Sequence, residues 1–147
     1  MKYFKYYVEH WDGYRLINKG ADEAFSNEKE VQLFFGLVWY GTRFDINREA
    51  NQGRGPVDFK VSRGDWDKSL IEFKLASNRQ LKRNLQNQVA IYEEANRTKQ
   101  SVKVIIFYTR DQEVNARAIL KELGLQDKKD IILIDARGDN KPSASKA

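Results

Sequence analysis

The chain has no cysteine and a single histidine, His10, among its 147 residues. A disulfide framework, a zinc site built on Cys and His, and a Cys or Ser-His nucleophile therefore lack their material. His10 stands in EHWDGYR, where a surface or packing role is expected. No apolar run approaches the length needed to span a bilayer, and the opening lysines and aromatics do not make a secretory leader. These absences point to a cytoplasmic chain with no membrane partner. No internal repeat is visible, and the length suits one domain with room for about five strands and a few helices.

Charge is plentiful. Lys and Arg number 26 against 21 Asp and Glu, giving a net charge of +5 and a pI near 9.3. That excess suits an anionic partner such as nucleic acid, although placement says more than the sum. Arg79, Lys82 and Arg83 cluster at the start of an expected helix over residues 79–98, where helix N–H groups would add to their charge. With Asn78 and Arg54 they form an expected nucleic-acid-binding set, and the plainer expectation is a solvated helix face.

The stretch from Gly53 to Leu75, GRGPVDFKVSRGDWDKSLIEFKL, carries the densest signal. Val57, Phe59 and Val61 alternate with Asp58, Lys60 and Ser62, and Ile71, Phe73 and Leu75 alternate with Glu72, Lys74 and Ala76. Period-two patterns of this kind read as strands with one apolar face. Gly64-Asp65 between them is a turn signal, so the strands should pair as an antiparallel hairpin. With the turn centred on Asp65, Asp58 lies opposite Glu72. Their β-carbons would be about 4.5–5.5 Å apart, close enough to repel, so a cation is expected between them. Lys74 shares their face.

A helix is expected on each side of this hairpin. Asn27 to Tyr40 is densely apolar, with Asn27 as N-cap, Glu28 and Glu30 in the first turn, and Glu28, Val31, Gln32, Phe35 and Trp39 on one stripe. The helix over 79–98 is capped by Ser77 or Asn78, and its stripe Leu81, Leu85, Gln88, Tyr92 is broken by a glutamine that must find hydrogen-bond partners. Phe44 to Asn47 begins a first strand, turned back by Asn51-Gln52-Gly53. Farther on come an apolar strand over Val102–Thr109, a helix over Glu113–Leu123 ended by Gly124, and a last strand over Asp130–Ala136. The last two strands should be parallel, joined by a right-handed crossover. Residues 137–147 are small and polar and should be a disordered tail. The first 26 residues carry many aromatics, which could cover the sheet, stack on bases, or face an upstream domain.

An acid after a proline-containing turn, Pro56-Val57-Asp58, followed by acid-x-lysine on the next strand, Glu72-Phe73-Lys74, resembles the PD-(D/E)XK nuclease superfamily, the restriction-endonuclease-like enzymes. Pro56 and Asp58 are separated by Val57, a departure at the loosest element of that pattern. The resemblance implies an α/β fold with a restriction-endonuclease-like α-β-β-β-α-β core over residues 27–136, its mixed sheet flanked by helices. It implies a metal-dependent nuclease acting on nucleic acid, DNA before RNA, as an endonuclease rather than an exonuclease. Asp58, Glu72 and the main-chain carbonyl of Phe73 would hold magnesium, for which manganese should substitute, and Glu28, or Glu30 in its place, would join them. Lys74 would orient or deprotonate the attacking water. Gln88-x-x-x-Tyr92 is similar to the Q-x-x-x-Y element of a subset of these nucleases and would position Lys74 or phosphate. The resemblance also suggests a homodimer, and a C-terminal domain excised from a larger parent. The competing expectations are a catalytically silent nucleic-acid-binding or protein-interaction domain of the same fold and, more remotely, a sugar or nucleotide hydrolase with paired carboxylates.

Overall fold

The computed structural model describes residues 1–18, 24–39, 45–51, 56–63, 67–94 and 100–141. Its elements follow the chain as α1 (Lys2–His10), α2 (Tyr14–Ile17), α3 (Glu28–Trp39), β1 (Asp45–Asn51), β2 (Pro56–Arg63), β3 (Asp67–Leu75), α4 (Leu81–Glu94), β4 (Gln100–Phe107), α5 (Arg110–Glu122) and β5 (Ile131–Asp135). The strands form a sheet in the order β1-β2-β3-β4-β5. The first three are antiparallel and the last three parallel, so the sheet is mixed and the domain is α/β.

Alternation along the strands sorts the core into two layers. Phe59, Val61, Ile71, Phe73, Val104, Ile106 and Ile134 face Phe4 and Val8 of α1 and Val31 and Phe35 of α3. On the opposite face Ile105 and Phe107 meet Leu81 and Leu85 of α4 and Ala116 and Leu120 of α5. Both parallel connections, β3-α4-β4 and β4-α5-β5, thus place their helices on one side, as two crossovers of the same hand require. Phe35 is the hub of the first layer. Its ring centroid is 5.0 Å from Phe4, 5.1 Å from Phe59 and 4.9 Å from Phe73, each pair edge to face.

The hairpin register agrees with the sequence expectation. Phe59 pairs with Ile71 and Arg63 with Asp67, which centres the connection on position 65, although residues 64–66 lie outside the described part. β1 runs farther than Asn47, to Asn51, because Ala50 still pairs with Val57 and Asn51 with Pro56. Among the aromatics of the first segment, covering the sheet is the role that holds for Phe4, whose ring also packs 6.2 Å from Phe73. Tyr3, Tyr6 and Trp11 remain exposed.

Two boundaries move for local reasons. α5 begins at Arg110 rather than Glu113, since the Thr109 hydroxyl accepts the Gln112 N–H while the Gln112 side chain accepts the Tyr108 N–H. This reciprocal cap fixes the first turn and ends β4 at Phe107. Gly124, at φ 65°, closes the helix in the left-handed conformation that only glycine adopts without strain. The expected disordered tail, in turn, is ordered over its first residues. Arg137 bonds Glu113 and Asp139, and Lys141 bonds Asp135 and the Arg137 carbonyl. Residues 142–147 lie outside the described part.

Candidate functional site

The hairpin ladder stops at Phe59 and Ile71, and one step beyond it a side chain takes the place of a main-chain acceptor. The Asp58 carboxylate accepts the Phe73 N–H at 2.6 Å through Oδ2. Asp58 is thereby fixed to the strand that carries Glu72 and Lys74. Burial raises its pKa above the usual aspartate value, with the negative charge of Glu72 adding, while the Phe73 N–H, Lys74 and a hydrogen bond from Gln32 work in the other direction.

Lys74 is the centre of the cluster. Its ammonium lies 2.8 Å from Glu72 Oε1 and 3.6 Å from Glu28 Oε2, and its side chain is nearly buried. Burial works against the charged form, yet Glu72, Glu28 and Asp58 together raise its pKa above the ordinary lysine value. Glu28 is held from its other side by the Asn78 amide, which donates to Oε1 at 3.2 Å. β3 therefore supplies Glu72 and Lys74, and α3, β2 and the turn before α4 supply Glu28, Asp58 and Asn78.

The two acids in the first turn of α3 have different tasks. Glu30 folds back to accept the N–H of Ser26 at 2.7 Å, while Asn27 Oδ1 accepts the Glu30 N–H at 3.1 Å. That is a capping box, and it occupies Glu30 at the helix end. Glu28 is left to reach Lys74. Gln32, one turn on from Glu28, reaches Asp58.

The remaining expected residues divide. Phe73 gives its N–H to Asp58 and its ring to the core. Asn78 Oδ1 also accepts the Gln80 N–H, a side-chain turn that delays the start of α4 to Leu81. Lys82 pairs with Glu122 of α5, and Arg79 and Arg83 are exposed. Gln88 and Tyr92 belong to α4 where side chains lie outside the described part, and Arg54 lies outside the described residues.

Lys103 on β4 is a member that the sequence reading missed. It is the register partner of Glu72 on the neighbouring parallel strand and only 4% exposed. Burial pushes its pKa down to about 8, opposed by the charges of Glu72 and Asp130 and assisted by that of Lys74. It lay hidden in the apolar run VKVIIFYT. The available signal was a lone lysine in a strand expected to be buried on both faces, since lysine is almost never fully buried without a partner.

The pKa directions give a stability prediction. Between about 8 and the ordinary lysine value of 10.5, the unfolded chain keeps the Lys103 proton and the folded chain sheds it, so stability rises with pH. The burial penalty applies in full below that window and is relieved across it. Lys74 acts in the opposite sense but higher, because its stabilisation persists below 10.5 and is lost only above it. Urea unfolding in EDTA should therefore show wild type gaining about 1–2 kcal/mol from pH 7 to 9.5 relative to Lys103→Met. Parallel pH profiles for the two would contradict this assignment.

Among the described residues no group of three acidic, His or Cys side chains is arranged to hold a metal ion, and the cation at the meeting point of Glu72 and Glu28 is the Lys74 ammonium. The donor set is nonetheless one of carboxylate oxygens, which suits magnesium or manganese rather than a soft ion. A cavity of about 400 Å³ lies elsewhere, where Phe107 and Asp135 end β4 and β5. Lys5, Glu9, Glu113, Arg117, Asp135 and Lys141 line it, and their charges are spent on one another or on nearby main chain. It is a brace between α1, α5 and the C-terminal segment, away from Asp58, Glu72 and Lys74. No helix among the described residues is long and apolar enough to cross a membrane.

A family model described as a domain of unknown function (DUF8371) matches residues 1–110. Those residues contain Asp58, Glu72, Lys74, Glu28, Gln32 and Lys103. No curated protein matches the chain.

Proposed function

The chain belongs to the DUF8371 family, and for it we propose a metal-dependent nuclease of the PD-(D/E)XK type, hydrolysing phosphodiester bonds of DNA. The observation that carries this reading is the convergence of Glu72 and Glu28 on Lys74, with Asp58 fixed to the same strand. The succession α3-β1-β2-β3-α4-β4 supports it, being the order α-β-β-β-α-β of restriction-endonuclease-like enzymes.

Asp58, Glu72 and Glu28 are the residues that would hold magnesium or manganese, with the Phe73 carbonyl beside them. Such an ion, when bound, polarises the scissile phosphate and acidifies a water. The protein's own part begins with rigidity. The Phe73 N–H and Gln32 hold Asp58, and Asn78 holds Glu28, so the acids are set before substrate arrives. Lys74, once released from Glu72, orients the attacking water and offsets charge that grows on the phosphate. Arg79, just before α4, and Arg83, in its first turn, are exposed and would attract the backbone of the nucleic acid. Products would carry 5′-phosphates and 3′-hydroxyls.

The seat of Lys74 also favours a second reading, in which the ion pairs merely tie α3 to β3 in a silent nucleic-acid-binding or protein-interaction domain. The two readings part on the divalent cation. A nuclease should cut supercoiled plasmid, linear duplex, single-stranded DNA or RNA with magnesium or manganese and not with EDTA, and the metal should raise the melting temperature. Absence of both effects in the full chain would favour the silent domain.

A further inference from the structure

α1 has two unlike sides. Phe4 and Val8 are buried beneath it, whereas Tyr3, Tyr6 and Trp11 are 65%, 51% and 60% exposed. These rings are not scattered. The Tyr6 ring centroid lies 4.8 Å from that of exposed His10 and 6.1 Å from that of Trp11, and Tyr3 stands one turn back along the same side of the helix. The backbone fixes Trp11 in this group. The Trp11 and Gly13 N–H groups both donate to the Tyr7 carbonyl, Asp12 takes up a left-handed conformation at φ 59°, and a β-carbon at Gly13 would lie 2.6 Å from the Tyr7 ring. A turn set this tightly leaves Trp11 little backbone freedom to lose on binding.

Charge decides what the rings receive. Glu9, the one acid of α1, is turned inward, where it pairs with Lys5 and accepts the Asp135 N–H. Lys2 before the rings and Arg15 after them are exposed, and Asp12, also exposed, lies 3.8 Å from Arg15. A second copy seated on this patch would set the same cations against themselves, whereas a polyanion would meet opposite charge. Nucleobases add a flat face that stacks on any ring, and in a duplex that face is covered by the next pair. Rings beside cations are the means by which single strands are held without sequence preference. We propose that Tyr3, Tyr6, His10 and Trp11 form a stacking platform for the unpaired bases of single-stranded nucleic acid. Alternation turns Glu72 and Lys74 away from the face of the sheet that Phe73 shares with α1, so the platform is a second surface and goes beyond the nuclease reading.

The test runs on the full chain in EDTA, where no metal-dependent cleavage intervenes. Fluorescence anisotropy follows the binding of labelled thymidine and uridine oligonucleotides of about 12 residues, within the range that one stacking groove covers. Tyr6→Ala and Trp11→Ala should each weaken binding at least about fivefold, the low end of what one lost stacking ring costs. Tyr6→Phe and Trp11→Phe keep a ring and should recover most of it. All four positions of change are exposed, so the variants should unfold at the wild-type urea concentration. A duplex of the same length should compete poorly, and Lys74→Ala should bind as wild type does. No binding by wild type, equal binding of duplex, or unchanged affinity in both alanine variants would each overturn the platform. So would self-association that Trp11→Ala abolishes without any oligonucleotide binding, which would give the face to a second copy. Single-strand binding without cleavage when metal is added leaves the platform standing and sinks the nuclease reading, and cleavage without single-strand binding does the reverse.

Discussion

Lys74→Ala and Asp58→Asn are each expected to reduce metal-dependent cleavage by about a hundredfold to ten-thousandfold, the range seen when a positioned acid-base group is removed. The two should fail differently. Lys74→Ala takes away the ammonium shared by Glu72 and Glu28, leaving adjacent acids with less compensation. Divalent cations should then bind at least as well as in wild type while turnover collapses. Asp58→Asn keeps an oxygen that can accept the Phe73 N–H but lacks the negative charge, so the strand is preserved and cation binding weakens. Asp58→Ala would also strip that N–H of its acceptor, which mixes a folding defect with a catalytic one. Plasmid cleavage beside a manganese titration resolves both. Either variant cutting at the wild-type rate, with the fold intact, would remove its residue from the mechanism.

Phe35→Ala should lower stability by about 3–5 kcal/mol, the cost of removing a large aromatic from a closed core. Phe35 is fully buried and meets Phe4, Phe59 and Phe73, which come from three different elements, so no one neighbour can move in to fill the space. A domain with a total stability of about 5–15 kcal/mol would be left marginal. Phe35→Leu retains most of the volume and should cost much less. The effect should reach the site as well, because α3 lies on this aromatic hub and carries both Glu28 and Gln32. Urea unfolding followed by circular dichroism gives the first number, and a loss below about 1 kcal/mol would show that the layer repacks.

The sequence displayed the hairpin because two local rules agreed. Alternation told which side chains share a face, and the Gly64-Asp65 turn signal gave the centre, so the register that pairs Phe59 with Ile71, one step short of Asp58 and Glu72, followed without tertiary knowledge. The choice between Glu28 and Glu30 was also present, but in a different signal. Asn27-x-x-Glu30 has the spacing of a capping box, which commits Glu30 to the helix end and leaves Glu28 for the cluster. Thr109 and Gln112 carry a related cap, obscured in the sequence by the apolar run that precedes it. Lys103 and Gln32 were harder. Their partners are on other elements, and which polar residue meets which acid depends on strand order and helix placement, not on spacing. Arg137 shows the same limit, since its partner Glu113 belongs to a helix that ends before β5 begins.

The order β1-β2-β3-β4-β5 repeats the order of synthesis. Each strand that leaves the ribosome after the first finds its neighbour already at the growing edge, and none has to be threaded between two others. The first helix is the exception. Lys5 donates to the Leu133 carbonyl at 2.6 Å, and Glu9 accepts the Asp135 N–H at 2.9 Å. α1 must wait for β5 before Lys5 and Glu9, already paired with each other, can bond its main chain. Phe4 and Val8 can meanwhile settle on α3 and the older strands, whereas the seam with β5 closes only after that strand has joined the sheet. The strand order thus permits progressive assembly along the sheet, with α1 tying the first described segment to the last strand.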